Sequence, residues 1–395
     1  MKTIVSINGT NFGSTGNIAR QIGELAMTEG IKYYNAFPWA AGSKALLEHD
    51  IVIGNKWGKI VSVALGRITG YAGCFSFIAT RNFLRKLDKI KPDIIHIHNL
   101  HDGFINLSML FKYIKKNDIK VIWTMHDCWS FTGRCAYFTM ADCDRWKKGC
   151  HDCIQKNCYP TRYSDRTKKM WKLKKKWFTG VKDLTVITPS KWLKELVKQS
   201  YMGEYPVKVI NNGIDLDKFK PSESDFRVKN NIDDKFVILG VALSWEERKG
   251  LNDILELIKK LDDSYAYVLV GTDDEVDKIL PEGVISIHRT HDQAELAEVY
   301  SAADVYINPT KEDNYPTVNM EAIACGTPVI TYATGGRAEI PDETCGIAVK
   351  TDDVQGLADA VKSIKEGNSM CDACLKKSVN FGMNDRFREY IELYR

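Results

Sequence analysis

Short apolar runs alternate with amphipathic stretches along almost the whole chain. Residues 4–7, Ile94–Ile97, 121–124 and Leu184–Thr188 are apolar-rich runs, each followed by polar or turn-forming residues, and they predict strands of a sheet buried on both faces. After the first run, Gly13-Ser-Thr-Gly16 opens a segment whose Ile18, Ile22, Leu25 and Ala26 share one face at helical spacing. That is a strand, glycine loop, helix unit. Ser190 stands where a helix N-cap belongs. A second series follows at Phe236–Val241, 266–270, 284–288, Val305–Asn308 and 328–332, with helical patterns between the runs. The alternation predicts an α/β protein with parallel sheets wrapped by helices, and no repeat of 20–50 residues is visible.

A length of 395 residues exceeds one ordinary domain. The first series ends where Val207-Lys-Val-Ile runs into the turn residues Asn211-Asn-Gly-Ile-Asp215, which divides the chain into domains at 1–212 and 213–378. Residues 379–395 form a tail whose Phe387, Tyr390, Ile391 and Tyr394 lie near one helical face, so it has to pack on something.

Composition narrows the class. With 44% hydrophobic and 27% charged residues and no low-complexity tract, the chain reads as an ordinary folded protein. A net charge of +4 is too mild for a nucleic-acid binder. The first apolar run is too short for a signal-peptide core, and the nearest approach to a membrane span, residues 60–80, is interrupted by Arg67. A cytoplasmic protein is expected. Eleven cysteines in such a chain argue for metal ligation or burial rather than a disulfide framework.

The richest chemistry lies in residues 313–330. Asp313 and Glu321 bracket a loop that ends near Pro316 and a helix starting at Thr317, whose first N–H groups are suited to phosphate oxygens. Glu321, one turn in, is placed to accept hydrogen bonds from ribose hydroxyls; the bland alternative is an exposed helix carboxylate before a Gly326-Thr-Pro stop. Arg248 and Lys249, after the strand at Phe236–Val241, are either diphosphate clamps or a solvated basic turn. His126, followed by Asp127, stands at the end of a strand, the edge where doubly wound sheets place ligands. His96, His98 and His101 are weaker candidates, with alternation sending His96 and His98 to one face.

The stretch from Asp313 resembles the signature of family 4 retaining glycosyltransferases of the GT-B fold, Glu-x7-Glu followed by Ala-x2-Cys-Gly-x-Pro-Val. Asp313 takes the place of the first Glu, with Glu312 one residue before it. The glycine loop, the His-Asp, the Asn-Gly-Ile-Asp linker and the Arg-Lys-Gly occur in the family's order, so the resemblance covers nearly the whole chain. It implies two Rossmann-like doubly wound domains facing each other across a cleft, with the C-terminal helix crossing back to the first. It implies transfer of a sugar from a UDP- or GDP-type donor to a glycan or lipid-linked acceptor in capsule or exopolysaccharide assembly. Retention of configuration and independence from catalytic metal come with it. The roles implied are contact with the reacting sugar for His126 and Asp313. Donor binding is implied for Gly13, Ser14, Arg248, Lys249, Asn314, Tyr315, Thr317, Val318 and Glu321. A nucleotide-sugar epimerase, a phosphorylase and a non-catalytic sugar-binding subunit are the competing readings.

Two segments stand outside this scheme. Cys135, Cys143, Cys150 and Cys153, within an insertion at 128–160 that also holds His151 and Cys158, have spacing that suits structural zinc. An iron–sulfur cluster and reduced, buried thiols are the other readings. Residues 166–178 interleave Lys and Arg with Trp171, Leu173 and Trp177, which reads either as a peripheral membrane contact or as a solvated helix with a Trp-lined core face.

Overall fold

The computed structural model describes residues 1–39, 46–101, 103–155 and 163–395. The chain forms two compact units, Met1–Asn211 with Asn384–Arg395, and Asn212–Met383.

The first unit holds a sheet of seven parallel strands: β1 (Thr3–Ile7), β2 (Lys32–Pro38), β3 (Asp50–Ile53), β4 (Ile94–Ile97), β5 (Lys120–Thr124), β6 (Leu184–Thr188) and β7 (Val207–Val209). Their order is β3-β2-β1-β4-β5-β6-β7, so the winding reverses between β1 and β4. All four residues of β4 are buried, three isoleucines and His96, whose two ring nitrogens both have hydrogen-bond partners. The helix Gly13–Thr28 buries Ile18, Ala19, Ile22 and Ala26, and the Ser190 hydroxyl caps the helix Lys191–Lys198 by accepting from Leu193 N–H at 3.1 Å.

The second unit holds six parallel strands: β8 (Phe236–Val241), β9 (Tyr265–Val270), β10 (Ile285–Ile287), β11 (Val305–Asn308), β12 (Val329–Tyr332) and β13 (Gly346–Val349). The order β10-β9-β8-β11-β12-β13 reverses between β8 and β11. The unit is closed where the chain enters and leaves it: Ile214 N–H donates to Phe381 O at 2.8 Å and Met383 N–H donates to Ile214 O at 2.9 Å. A Cβ on Gly213 would stand 2.4 Å from Met383 Cα, so the glycine of the Asn-Gly-Ile-Asp turn is there for close approach of two backbones.

Strands β2, β3 and β13 are additions to the expected set. The last helix runs Met383–Tyr394 rather than from 379, because Val379–Phe381 is a short turn of 3-10 helix that buries Phe381 in the second unit. Phe387, Tyr390, Ile391 and Tyr394 are all buried, and this helix belongs to the first unit.

Candidate active site

Each unit places its chemistry at the carboxyl end of its strands, beside the reversal of its winding, where backbone diverges and leaves a crevice. In the second unit, the turn after β8 carries Arg248 and Lys249, and the neighbouring loop after β11 carries Glu312 to Pro316. The two loops are tied together. Lys249 Nζ lies 2.9 Å from Asp313 Oδ2, Arg248 Nη1 donates to Glu312 O at 2.9 Å, and Lys311 N–H donates to Arg248 O at 2.8 Å. Arg248 also pairs with Glu246 at 3.0 Å. Gly250, at φ +78°, lets the turn pass against Pro309, whose carbonyl oxygen a Cβ would meet at 2.3 Å.

Burial alone would raise the pKa of the Asp313 carboxyl, but the Lys249 ammonium, with Arg337 and Arg248 behind it, holds it below the usual carboxylate range. Asp313 is therefore an anion that keeps Lys249 aimed at the crevice. Its Oδ1 also accepts from Asn314 N–H at 2.8 Å, which fixes the loop leading to the helix Thr317–Ala324. Pro316 precedes that helix and supplies no side-chain cap, so the first turn presents N–H donors without a side-chain acceptor of its own cap residue. Asn314 and Tyr315 are buried, Thr317 and Val318 half-buried.

Glu321 stands in that helix as a buried carboxyl, not an exposed one. Burial pushes its pKa up to about 7, against hydrogen bonds from Thr317 and Tyr300 that lower it. The Tyr300 hydroxyl is 3.4 Å from Glu321 Oε2. Near neutral pH the group is thus poised between acid and anion, able to donate a hydrogen bond or to accept one.

In the first unit, Gly13 (φ +69°) and Ser14 open the helix after β1, His98 follows β4, and His126 follows β5. His98 Nδ1 lies 3.0 Å from His126 Nε2, the rings stacked at 5.3 Å. Burial depresses the His126 pKa to about 4, with the neighbouring Asp127 opposing and His101 assisting. The imidazole is neutral at physiological pH. His101 Nε2 lies 3.3 Å from Asp127 Oδ2, and the same residues line a small recess with Asn99, Trp129 and Ser130. His96 lies deeper, between Tyr394 Oη at 2.5 Å and Thr124 Oγ1 at 2.8 Å, and burial depresses its pKa to about 3.

The sequence model of the family described as Glycosyltransferase Family 4 matches residues 42–218, and that described as Glycosyl transferases group 1 matches residues 222–381. The chain is a glycosyltransferase built of these two domains. The enzyme is 23% identical to a relative in Escherichia coli K12 named as a colanic acid biosynthesis glycosyl transferase, WcaC, over 97% of this chain and 96% of the relative. Among solved structures it is similar to sucrose-phosphate synthase from Thermosynechococcus elongatus, with a TM-score of 0.75, 18% identity and coverage of 100% and 98% of the two chains. It is also similar to Anabaena HepE solved with UDP, with a TM-score of 0.71, 15% identity and coverage of 100% and 99%. The two Rossmann-like units of the glycosyltransferase are those of the GT-B architecture.

Of the residues expected at the site, the glycosyltransferase gathers Arg248, Lys249, Asp313, Asn314, Tyr315, Thr317, Val318 and Glu321 on one unit, and Gly13, Ser14 and His126 on the other. Arg337 was not anticipated. It is fully buried on the turn after β12 and adds its charge to Asp313; its signal was the Gly335-Gly-Arg337 that follows a strand, as Gly13 follows β1. Gly335, at φ +65°, would bring a Cβ within 2.1 Å of Asp313 O.

In the basic segment 166–178 the structure shows the Trp-lined core face that was one of its two readings. Trp171 is buried with its indole N–H on Trp146 O at 2.8 Å, and Lys174 is buried over the Trp129 ring at 3.4 Å while donating to Trp129 O at 2.6 Å. The aromatic side of the helix Thr167–Phe178 packs on the core, with Trp171 and Phe178 buried and Trp177 half-buried against it. In the cysteine insertion, the thiols of Cys135 and Cys153 share a hydrogen bond and Cys150 Sγ accepts from Gly133 N–H at 3.1 Å, with Cys143 half-buried beside the core. Cys158 lies outside the described residues. Among the described residues, the group whose ligand atoms lie within 4.8 Å of one another is Asp274, Asp277 and His288, all exposed.

Proposed function

We propose that the enzyme transfers a sugar from a nucleoside diphosphate sugar, of the UDP or GDP type, to a glycan or lipid-linked acceptor in surface polysaccharide assembly, with retention of configuration and no catalytic metal. The observation that carries this reading is the Lys249–Asp313 pair across the winding reversal of the second unit, beside the N-terminus of the helix Thr317–Ala324. A departing diphosphate needs fixed positive charge and N–H donors. Lys249, Arg248 and the helix turn supply both, each charge-assisted hydrogen bond contributing about 1.5–3 kcal/mol.

Asp313 then has two tasks. It holds Lys249 in place before the donor arrives, and it stands ready to orient hydroxyls of the transferred sugar once the ammonium turns to phosphate. Glu321 engages the ribose. Departure of the diphosphate leaves an oxocarbenium-like sugar, and the acceptor hydroxyl attacks from the face the diphosphate has left, giving its proton to an oxygen of the departing diphosphate. The neutral His126 imidazole, half-buried beside Asp127, serves the acceptor side as a hydrogen-bonding group rather than as a cation. The colanic acid relative supports the polysaccharide setting, and the UDP carried by HepE supports the donor class.

A screen of nucleotide sugars for thermal stabilisation and for glycoside formation tests this. Stabilisation by one donor with glycoside formed on acceptor, abolished by Lys249→Ala, is the expected result. A requirement for free phosphate, or tight nucleotide binding without turnover for every donor and acceptor tried, would sink it.

A further inference from the structure

The helix Lys56–Thr69 is amphipathic in the ordinary sequence sense but is mounted the wrong way round for a soluble protein. Trp57, Ile60, Val61, Ala64, Leu65 and Ile68 recur at three- and four-residue spacing, which defines one apolar stripe. That stripe is the exposed side: Trp57 is 72% exposed, Val61 56% and Ile68 58%. The helix buries instead Ser62 and Gly66, with the Ser62 hydroxyl donating to Gly103 O at 2.6 Å. Its C-terminus is stopped by Gly70 in the left-handed region. The first turn of the next helix, Phe77–Ile90, lies alongside, since Ser76 Oγ and Ser62 Oγ are 2.8 Å apart, and it exposes Phe77 and Ile78 at 59% and 79%.

Charge selects the occupant. From residue 51 to residue 87 there is no acidic side chain, while Lys56, Lys59, Arg67, Arg81, Arg85 and Lys86 supply cations. At the start of the stripe the Lys56 ammonium lies 5.2 Å from the Trp39 ring centre and 5.8 Å from that of Trp57, an aromatic and cationic group of the kind that sits at a lipid headgroup layer. A second copy of the chain would bring these cations against their own counterparts, at a cost in like-charge repulsion. The stripe is a convex ridge on a single helix, a form suited to a plane of lipid rather than to a ligand.

We infer that the apolar stripe of the Lys56–Thr69 helix, with Phe77 and Ile78, docks the protein on an anionic lipid bilayer, the helix lying in the headgroup plane. The stripe enters the apolar boundary and the surrounding cations meet lipid phosphates. This differs from the helix Thr167–Phe178, whose aromatic residues are consumed by the core. It is independent of the proposed reaction, because vesicle binding is read without any sugar transfer.

Flotation with phosphatidylcholine vesicles, and with vesicles in which about a third of the lipid is phosphatidylglycerol, tests it. The full chain should float with the anionic vesicles and stay behind with the neutral ones. Lys56→Glu with Arg67→Glu should weaken binding about five-fold or more per site, and Ile60→Asn with Leu65→Asn should weaken it at least about ten-fold. Both variants alter exposed positions, so their melting temperatures should match the parent within the error of measurement, which separates lost docking from lost folding. Equal binding to both vesicle types, no binding to either, or anionic binding unchanged by Ile60→Asn with Leu65→Asn would overturn the inference. So would light scattering that shows a dimer which the same variant dissolves.

Discussion

Glu321→Gln should make the protein more stable above neutral pH and weaken its hold on the nucleotide sugar. Burial raises the carboxyl from an ordinary 4.5 to about 7, so between those values the folded protein binds a proton that the unfolded chain has released. Stability therefore falls as pH rises through this window and the full cost is present above pH 7. At 1.36 kcal/mol per pKa unit, a rise of this size corresponds to a cost of about 3 kcal/mol. Glutamine has nearly the same shape and does not titrate. The gain from Glu321→Gln should be close to nothing near pH 4.5 and should grow to a few kcal/mol by pH 8. For a unit of this size that is about 2–4 °C in Tm per kcal/mol. Paired melting curves of parent and variant from pH 5 to pH 8.5 measure it, and taking the difference cancels every other titrating group, the histidines included. A pH-independent difference would show that Glu321 is not held as a raised, buried acid. A rise in Tm without loss of donor affinity would show that its burial serves something other than the ribose.

Four further outcomes follow from the geometry. Lys249→Ala should weaken diphosphate binding about ten- to a hundred-fold, by calorimetry with UDP and GDP, the range of one lost charge-assisted bond. Asp313→Asn should leave nucleotide binding unchanged or tighter, because it releases Lys249, while lowering transfer; a parallel loss of both would remove the two-task role of Asp313. The histidines His96 and His126, depressed by burial to about 3 and about 4, cost nothing above pH 6.5 and destabilise the first unit as pH falls through 6.5 toward 4, so its tryptophan-detected melting temperature should drop across that interval. If zinc fills Cys135, Cys143, Cys150 and Cys153, protein purified without chelator should carry about one zinc per chain, and less than about a tenth would leave the reduced-thiol reading.

The parts of this structure that a sequence discloses are those where one physical demand dominates. Strands buried on both faces, such as β9, must be made almost wholly of apolar residues and stand out. Strand β2, Lys-Tyr-Tyr-Asn-Ala-Phe-Pro, carries polar residues at its half-covered positions, and β3 opens on Asp50 with Val52 half-covered, so neither rises above its surroundings. The loops that hold Lys249 and Asp313 were legible because turn residues, charge and strand ends coincide in both. Arg337 was not, since a single arginine after two glycines carries no period; only folding brings its charge to Asp313. The helix Thr167–Phe178 shows where composition leaves two readings open. Its composition is that of a lipid-binding segment, yet Lys174 is buried because two backbone carbonyls and the Trp129 ring meet its ammonium, an arrangement that no composition announces. The outward stripe of Lys56–Thr69 is likewise unreadable from period alone, because an amphipathic pattern does not say which side faces in.

The closing of the first unit by Asn384–Arg395 has a consequence for synthesis. Tyr390 and Tyr394 complete the hydrogen bonding of Thr124 and His96 inside a sheet whose last strand is finished at Val209. Between Asn211 and Asn384 the ribosome must still make the 172 residues of the other unit, Asn212–Met383. At about 5–20 residues per second that is a wait of roughly 10–35 s. Throughout it, the earlier-made half keeps a buried imidazole without its phenol and an open apolar seam. A nascent chain stalled before residue 384 should therefore be the form that chaperones hold longest.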